Sequence, residues 1–98
     1  MHVHIAIFKW KEHVTRQQVE VALSKVRSVA SDVAGIVGIY CGPNTSKWAM
    51  GFTDGVVVLG SSADAIDAYR NHPTHQEVAK EIDEMELEGI GFDFADET

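Results

Sequence analysis

Cys41 is the only cysteine in the chain, so no intrachain disulfide can form. This excludes a disulfide-stapled secreted scaffold and fits a reducing cytoplasm, where the protein is expected to reside. The chain does not open with a basic start followed by an apolar run, so no export signal is expected. No apolar stretch approaches the ~18 residues of a membrane span, so no membrane association is expected. Positive charge is scarce, with 8 Lys and Arg against 15 Asp and Glu and a net charge of −7. From Glu77 to the end, nine carboxylates face one cation, Lys80. Phosphate binding needs clustered cations, so nucleic acid is not an expected partner. The acidic stretch reads instead as a solvated face.

Length leaves no room for a second domain, and residues 1–98 are read as one. A lone domain of this size buries roughly 60–70% of the surface its unfolded chain exposes. Yet 45% of the residues are hydrophobic. Either the core is unusually full or part of the apolar surface goes to a partner.

Residues 2–11, HVHIAIFKWK, read as a strand with His2, His4, Ala6, Phe8 and Trp10 on one face and Val3, Ile5 and Ile7 on the other. Apolar side chains on both faces predict a strand covered from both sides. Thr15 with Gln18 three residues on is a capping-box pattern, and Val19, Ala22, Leu23, Val26 and Val29 follow at helical spacing. Gly35 closes that unit. Residues 36–41 and 55–60 read as strands, with a loop over 42–54 between them. Ser61 and Ser62 offer a cap for a short helix through Arg70. Pro73 starts a second short helix from its first position, with Val78, Ile82 and Met85 on its apolar side. Residues 89–94, GIGFDF, read as the last strand.

This order predicts an α+β, ferredoxin-like sandwich, in which a four-stranded antiparallel sheet carries helices on one face. The other face would still show Val3, Ile5, Ile7, Val57, Leu59, Ile90 and Phe92. A patch of that size in water favours aggregation, and each such side chain gains about 1.5–3 kcal/mol when buried. A homodimer through the face bearing Val3, Ile5, Ile7, Val57 and Ile90 is the expected solution.

Most of the reactive groups fall in Tyr69-Arg70-Asn71-His72-Pro73-Thr74-His75. With Pro73 at the first helical position, His72 is the expected cap and His75 lies in the first turn. A helix N-terminus disfavours added positive charge, so His75 is expected to be neutral, the form a general base needs. The Tyr69 hydroxyl suits a developing oxyanion. A plainer reading makes the turn only a capped helix start and Tyr69 a core residue with a bonded hydroxyl. A third reading puts zinc on His72, His75 and His4, but no carboxylate or thiolate is placed to complete the site. No metal and no cofactor is therefore expected. His4, Tyr69 and His75 are expected to converge between sheet and helices, in a cavity suited to a small molecule.

The opening HVHIAIFKWKEHVT, the GFTDGVVV strand entry, the YRNHPTH turn and the closing GFDF together resemble the stress-responsive dimeric α/β-barrel proteins, often called Dabb. The resemblance spans nearly the whole chain. It implies a ferredoxin-like subunit whose sheet packs on that of a second copy, forming a barrel with helices outside. Similarity to the polyketide cyclases of that family, the olivetolic acid cyclase type, implies His75 as the base, Tyr69 as its partner at the carbonyl and His4 in the pocket wall. The remaining walls are expected from Ala6, Phe8, Leu23, Val26, Val56, His72 and Val78. Gly89 and Gly91 are expected to leave space on the strand side. The aromatic pocket residues of the cyclase are replaced on the first helix by Ala22, Leu23 and Val26, so its alkyl-tailed substrate is not implied. Two functions follow as expectations. One is a cofactor-free lyase, cyclase or isomerase acting on a polyketide-like or aromatic carbonyl compound. The alternative is a non-catalytic stress-responsive protein that holds a small ligand.

Overall fold

A computed structural model describes residues 1–97. Thr15 caps the first helix with a full capping box: its side chain accepts from the Gln18 backbone, and the Gln18 side chain accepts from the Thr15 backbone. The elements run β1 (His2–Trp10), α1 (Arg16–Ser28), a short 3₁₀ turn (Val29–Ser31), β2 (Ile36–Pro43), β3 (Asp54–Gly60), α2 (Ala63–Asn71), α3 (Pro73–Met85) and β4 (Glu86–Ala95). The strands form one antiparallel sheet in the order β2-β3-β1-β4, a ferredoxin-like α+β fold. Gly35, at φ 88°, turns the chain from the first helical unit into β2, a conformation that only glycine adopts cheaply.

Two expectations about the C-terminal third are corrected. The second of the paired helices is not short: α3 runs 13 residues. The last strand starts at Glu86 rather than at residue 89, directly after Met85 and with no loop between. The junction is held because the Lys11 backbone N–H donates to the Met85 carbonyl (2.9 Å) and Trp10 pairs with Glu86 across the sheet.

Register sets the two faces of the sheet. His4 lies opposite Val58, Ala6 opposite Val56, and Phe8 opposite Asp54, all on the helix side. There Phe8, Val56 and Val58 pack with Val19, Leu23, Val26, Ile66, Val78 and Ile82 as the core. On the far side run two rows, Leu59–Val3–Phe94 and Val57–Ile5–Phe92, with Ile90 beside Ile7. Val3 departs from expectation, since its two neighbours already bury it within one chain. Ile5, Ile7, Val57 and Leu59 are half-buried. Phe92 remains 60% exposed and Ile90 47%.

Among the described residues, one charged side chain is sealed in the core. Asp54 is 1% exposed and accepts from Arg16 through both oxygens (2.9 and 2.7 Å), from Trp10 Nε1 (2.9 Å) and from Thr53 Oγ1 (3.0 Å). Burial alone would raise its pKa, but the bonds from Arg16, Trp10 and Thr53 outweigh that and hold it below the usual range. Trp10 in turn stacks on Phe8, with ring centroids 5.0 Å apart. Arg16→Leu removes the cation paired with a buried carboxylate. It is expected to destabilise the fold by about 3 kcal/mol, the low end for a broken buried pair because two neutral donors remain. A fall in the urea midpoint at pH 7 with unchanged slope would show this.

Candidate active site

The α2–α3 junction is one residue long. His72 caps α3 through Nδ1, which accepts from the Thr74 backbone N–H (3.1 Å), and Pro73 occupies the first helical position. This tight corner places Tyr69, from the last turn of α2, against His75 in the first turn of α3. Their ring centroids are 4.4 Å apart.

His75 Nδ1 lies 3.0 Å from the Arg70 carbonyl oxygen. A carbonyl only accepts, so Nδ1 carries the proton and, in the neutral ring, Nε2 carries the lone pair. Burial lowers the His75 pKa below its ordinary 6.5, aided by the charges of His4, Arg70 and His72 and opposed by the Arg70 carbonyl. His75 is therefore neutral at pH 7, with a fixed tautomer. The same shift has a stability consequence. A histidine whose folded pKa lies below its unfolded value contributes stability above the unfolded pKa and loses it as pH falls through the folded one. The urea midpoint should therefore fall between pH 7 and pH 5, and His75→Gln should reduce that fall.

Tyr69 is 2% exposed, yet no described residue bonds its hydroxyl, and that oxygen is not among the atoms sealed from solvent. Burial pushes its pKa well above the usual phenol range, and nearby Arg70 opposes this only in part. The phenol thus stays an O–H donor at any working pH. His4, on β1, has its ring centroid 6.2 Å from that of Tyr69. Its Nδ1 donates to Asp93 Oδ1 (2.5 Å), and Arg70 donates to the other oxygen of Asp93 (2.5 Å). Asp93 and Arg70 thus fix the His4 ring from β4 and α2.

These groups border a cavity of about 150 Å³ lined by His4, Ala6, Phe8, Val26, Val56, Tyr69, His75 and Val78, together with Ala79, Ile82, Asp83 and Glu86. Four expected wall residues lie elsewhere. Leu23 is buried in the core beside Cys41 rather than in the cavity wall. The His72 ring is engaged in capping and turns toward Asp32. The space left by Gly89 is taken by the Glu86 side chain, and Gly91 opens to solvent on the edge strand. Ala79, Ile82 and Asp83 continue the α3 stripe begun by His75 and Val78, a helical spacing the sequence already contains. Glu86 had no such signal, because it depends on where β4 begins. Among the described residues, no three His, Cys, Asp or Glu side chains group closely enough to hold a metal ion, and no helix is long and apolar enough to cross a membrane.

No curated protein matches the chain significantly. Solved structures do. A dimeric ferredoxin-like protein of unknown function from Thermobifida fusca is 26% identical with a TM-score of 0.84, over 96% of this chain and 89% of that one. A dimeric ferredoxin-like protein of unknown function from a Jannaschia species gives 0.88 at 18% identity, over 97% and 98%. The hydroxynitrile lyase from Passiflora edulis gives 0.85 at 17% identity, over 99% and 94%. Residues 3–96 match the model of the Stress responsive A/B Barrel Domain, and the chain belongs to that family.

Proposed function

We propose that the protein is a cofactor-free lyase, cyclase or isomerase that works beside a carbonyl group, as a cytoplasmic homodimer. One observation carries the reading: a neutral histidine with its lone pair on Nε2 and a buried tyrosine whose hydroxyl bonds no described residue border the same cavity. His75 Nε2 removes a proton from carbon next to the carbonyl, and the electron pair moves onto the carbonyl oxygen. The Tyr69 hydroxyl donates to that developing enolate oxygen. The enolate then attacks a second carbonyl in a cyclase or is reprotonated in an isomerase. In a lyase, the base instead takes a hydroxyl proton, the oxygen's electron pair forms the carbonyl, and the carbon–carbon bond breaks with its pair leaving on the departing carbon group, which takes the proton back from His75. The likeness to a hydroxynitrile lyase supports the compatibility of this fold with lyase chemistry. A cavity of about 150 Å³ favours compact aromatic or polyketide-like carbonyl compounds, since engineered cavities of roughly that volume admit benzene.

Dimerisation follows from the uncovered sheet face. Phe92 and Ile90 stand exposed beside half-buried Ile5, Ile7 and Val57, and two of the similar structures are described as dimeric. A second copy covers this face sheet to sheet, while the cavity lies on the opposite, helix-covered side.

The test is deuterium exchange at the methyl group of aryl methyl ketones in D₂O, followed by proton NMR. Protein-dependent exchange that vanishes with His75→Ala supports catalysis. Binding without exchange would make the protein a ligand holder, the stress-responsive alternative.

A further inference from the structure

We infer that His4 is a second hydrogen-bond acceptor in the cavity, set in that role by Asp93, and that the ligand carries a hydroxyl on the carbon beside its carbonyl for His4 to receive. This inference rests on the reading of the cavity as a carbonyl site. The His75 and His4 ring centroids lie 4.4 and 6.2 Å from that of Tyr69, and all three residues line the cavity. The three groups thus gather at one end of it, within reach of a single compact ligand.

The tautomer of His4 follows from its neighbours. Burial raises the Asp93 pKa, but hydrogen bonds from His4 and Arg70 outweigh it and hold the carboxyl below its usual range, so Asp93 only accepts. Its Oδ1 lies 2.5 Å from His4 Nδ1, which therefore carries the proton. Arg70 Nη2 lies 3.2 Å from the same nitrogen, but a guanidinium can only donate, and it does so at 2.5 Å to Asp93 Oδ2. In the neutral ring the lone pair is then on Nε2, as it is in His75. No described residue bonds His4 Nε2, and it is not among the atoms sealed from solvent. Arg70 sets both rings: its carbonyl fixes His75, and its guanidinium holds the carboxylate that fixes His4.

This end of the cavity therefore offers one donor, the Tyr69 hydroxyl, and two acceptors. A plain ketone uses Tyr69 for its oxygen and His75 for its α-proton. It leaves His4 Nε2 shut from water without a partner, which costs binding. The Tyr69 ring is 2% exposed with a hydroxyl that bonds no described residue, an independent mark of a polar ligand group at the same end. An α-hydroxy carbonyl compound serves all three: its oxygen faces Tyr69, its C–H faces His75 and its hydroxyl donates to His4.

α-Hydroxyacetophenone and its isostere propiophenone test this by NMR titration at pH 8. The wild-type protein should bind the hydroxyl compound about threefold to tenfold more tightly, the worth of one neutral hydrogen bond. His4→Leu should bring the ratio to one or below, and His4→Gln, which keeps an acceptor, should retain part of the preference. Tyr69→Phe should weaken both probes alike and leave the ratio unchanged. Asp93 is a positioning residue, and the His4 ring reports on it directly. Long-range ¹H–¹⁵N correlation should show His4 with Nδ1 protonated and Nε2 bare in the wild type, and the reverse in Asp93→Leu, where Arg70 is left to donate to Nδ1. Equal binding by the wild type, a ratio unchanged by His4→Leu, a proton on the wild-type His4 Nε2, or a ring indifferent to Asp93→Leu overturns the inference. If α-proton exchange of propiophenone still depends on His75 in that case, the carbonyl site stands and only the hydroxyl recognition falls. If neither probe binds or exchanges, both readings fall together.

Discussion

His75→Ala is expected to slow α-proton exchange by about 10²–10⁴, the usual contribution of a positioned general base. Tyr69→Phe should slow it by about 10²–10³, as for loss of one oxyanion donor. The ring of Tyr69 belongs to the hydrophobic core and phenylalanine keeps its shape, so this variant should remain folded. Because base and donor act in one step, the double variant should be little slower than His75→Ala alone. The rate should be flat around neutral pH and fall only below 6.5, since burial lowers the His75 pKa from that value. A loss near pH 10 is not expected, because burial keeps the Tyr69 phenol protonated past its usual range. Equal loss from both substitutions with a lowered thermal midpoint would instead point to structural damage.

Phe92→Lys should convert the dimer into a folded monomer. Phe92 is 60% exposed in one chain, so a lysine there meets water in the monomer and is buried only against a partner. Desolvating an unpaired ammonium costs several kcal/mol, enough to remove dimer at micromolar concentration. Ile5→Lys sits deeper, between Val57 and Phe92, and should dissociate the dimer and also lower stability. Sedimentation separates the outcomes. Wild type as a monomer at micromolar concentration, or Phe92→Lys still dimeric, would refute the proposed face.

Local signals in the sequence were enough for much of the scaffold. Thr15 with Gln18, Ser62 before α2, and Pro73 after His72 fix helix starts through chemistry confined to four residues, and each cap forms. Alternation along β1 gave both faces of the sheet. What was not legible depends on pairing between distant segments. The Asp54 cluster joins the ends of three elements, and no spacing in the chain announces that Arg16, Trp10 and Thr53 meet there. The link from His4 to Asp93 and Arg70 depends on the β1–β4 register, which sets His4 directly opposite Asp93. Gly89 faces the helix side as expected, because it pairs with Phe8. The space it leaves went to Glu86, and that followed from a strand beginning three residues earlier than its apolar pattern suggests.

The base is the centre of the proposed chemistry, and its protonation is directly observable. Long-range ¹H–¹⁵N correlation on labelled wild-type protein at pH 7 should show His75 neutral, with Nδ1 protonated by its bond to the Arg70 carbonyl and Nε2 bare. The spectrum should change to the imidazolium form only below pH 6.5. A His75 ring protonated on Nε2, or charged at pH 7, would contradict the assignment of His75 as the base.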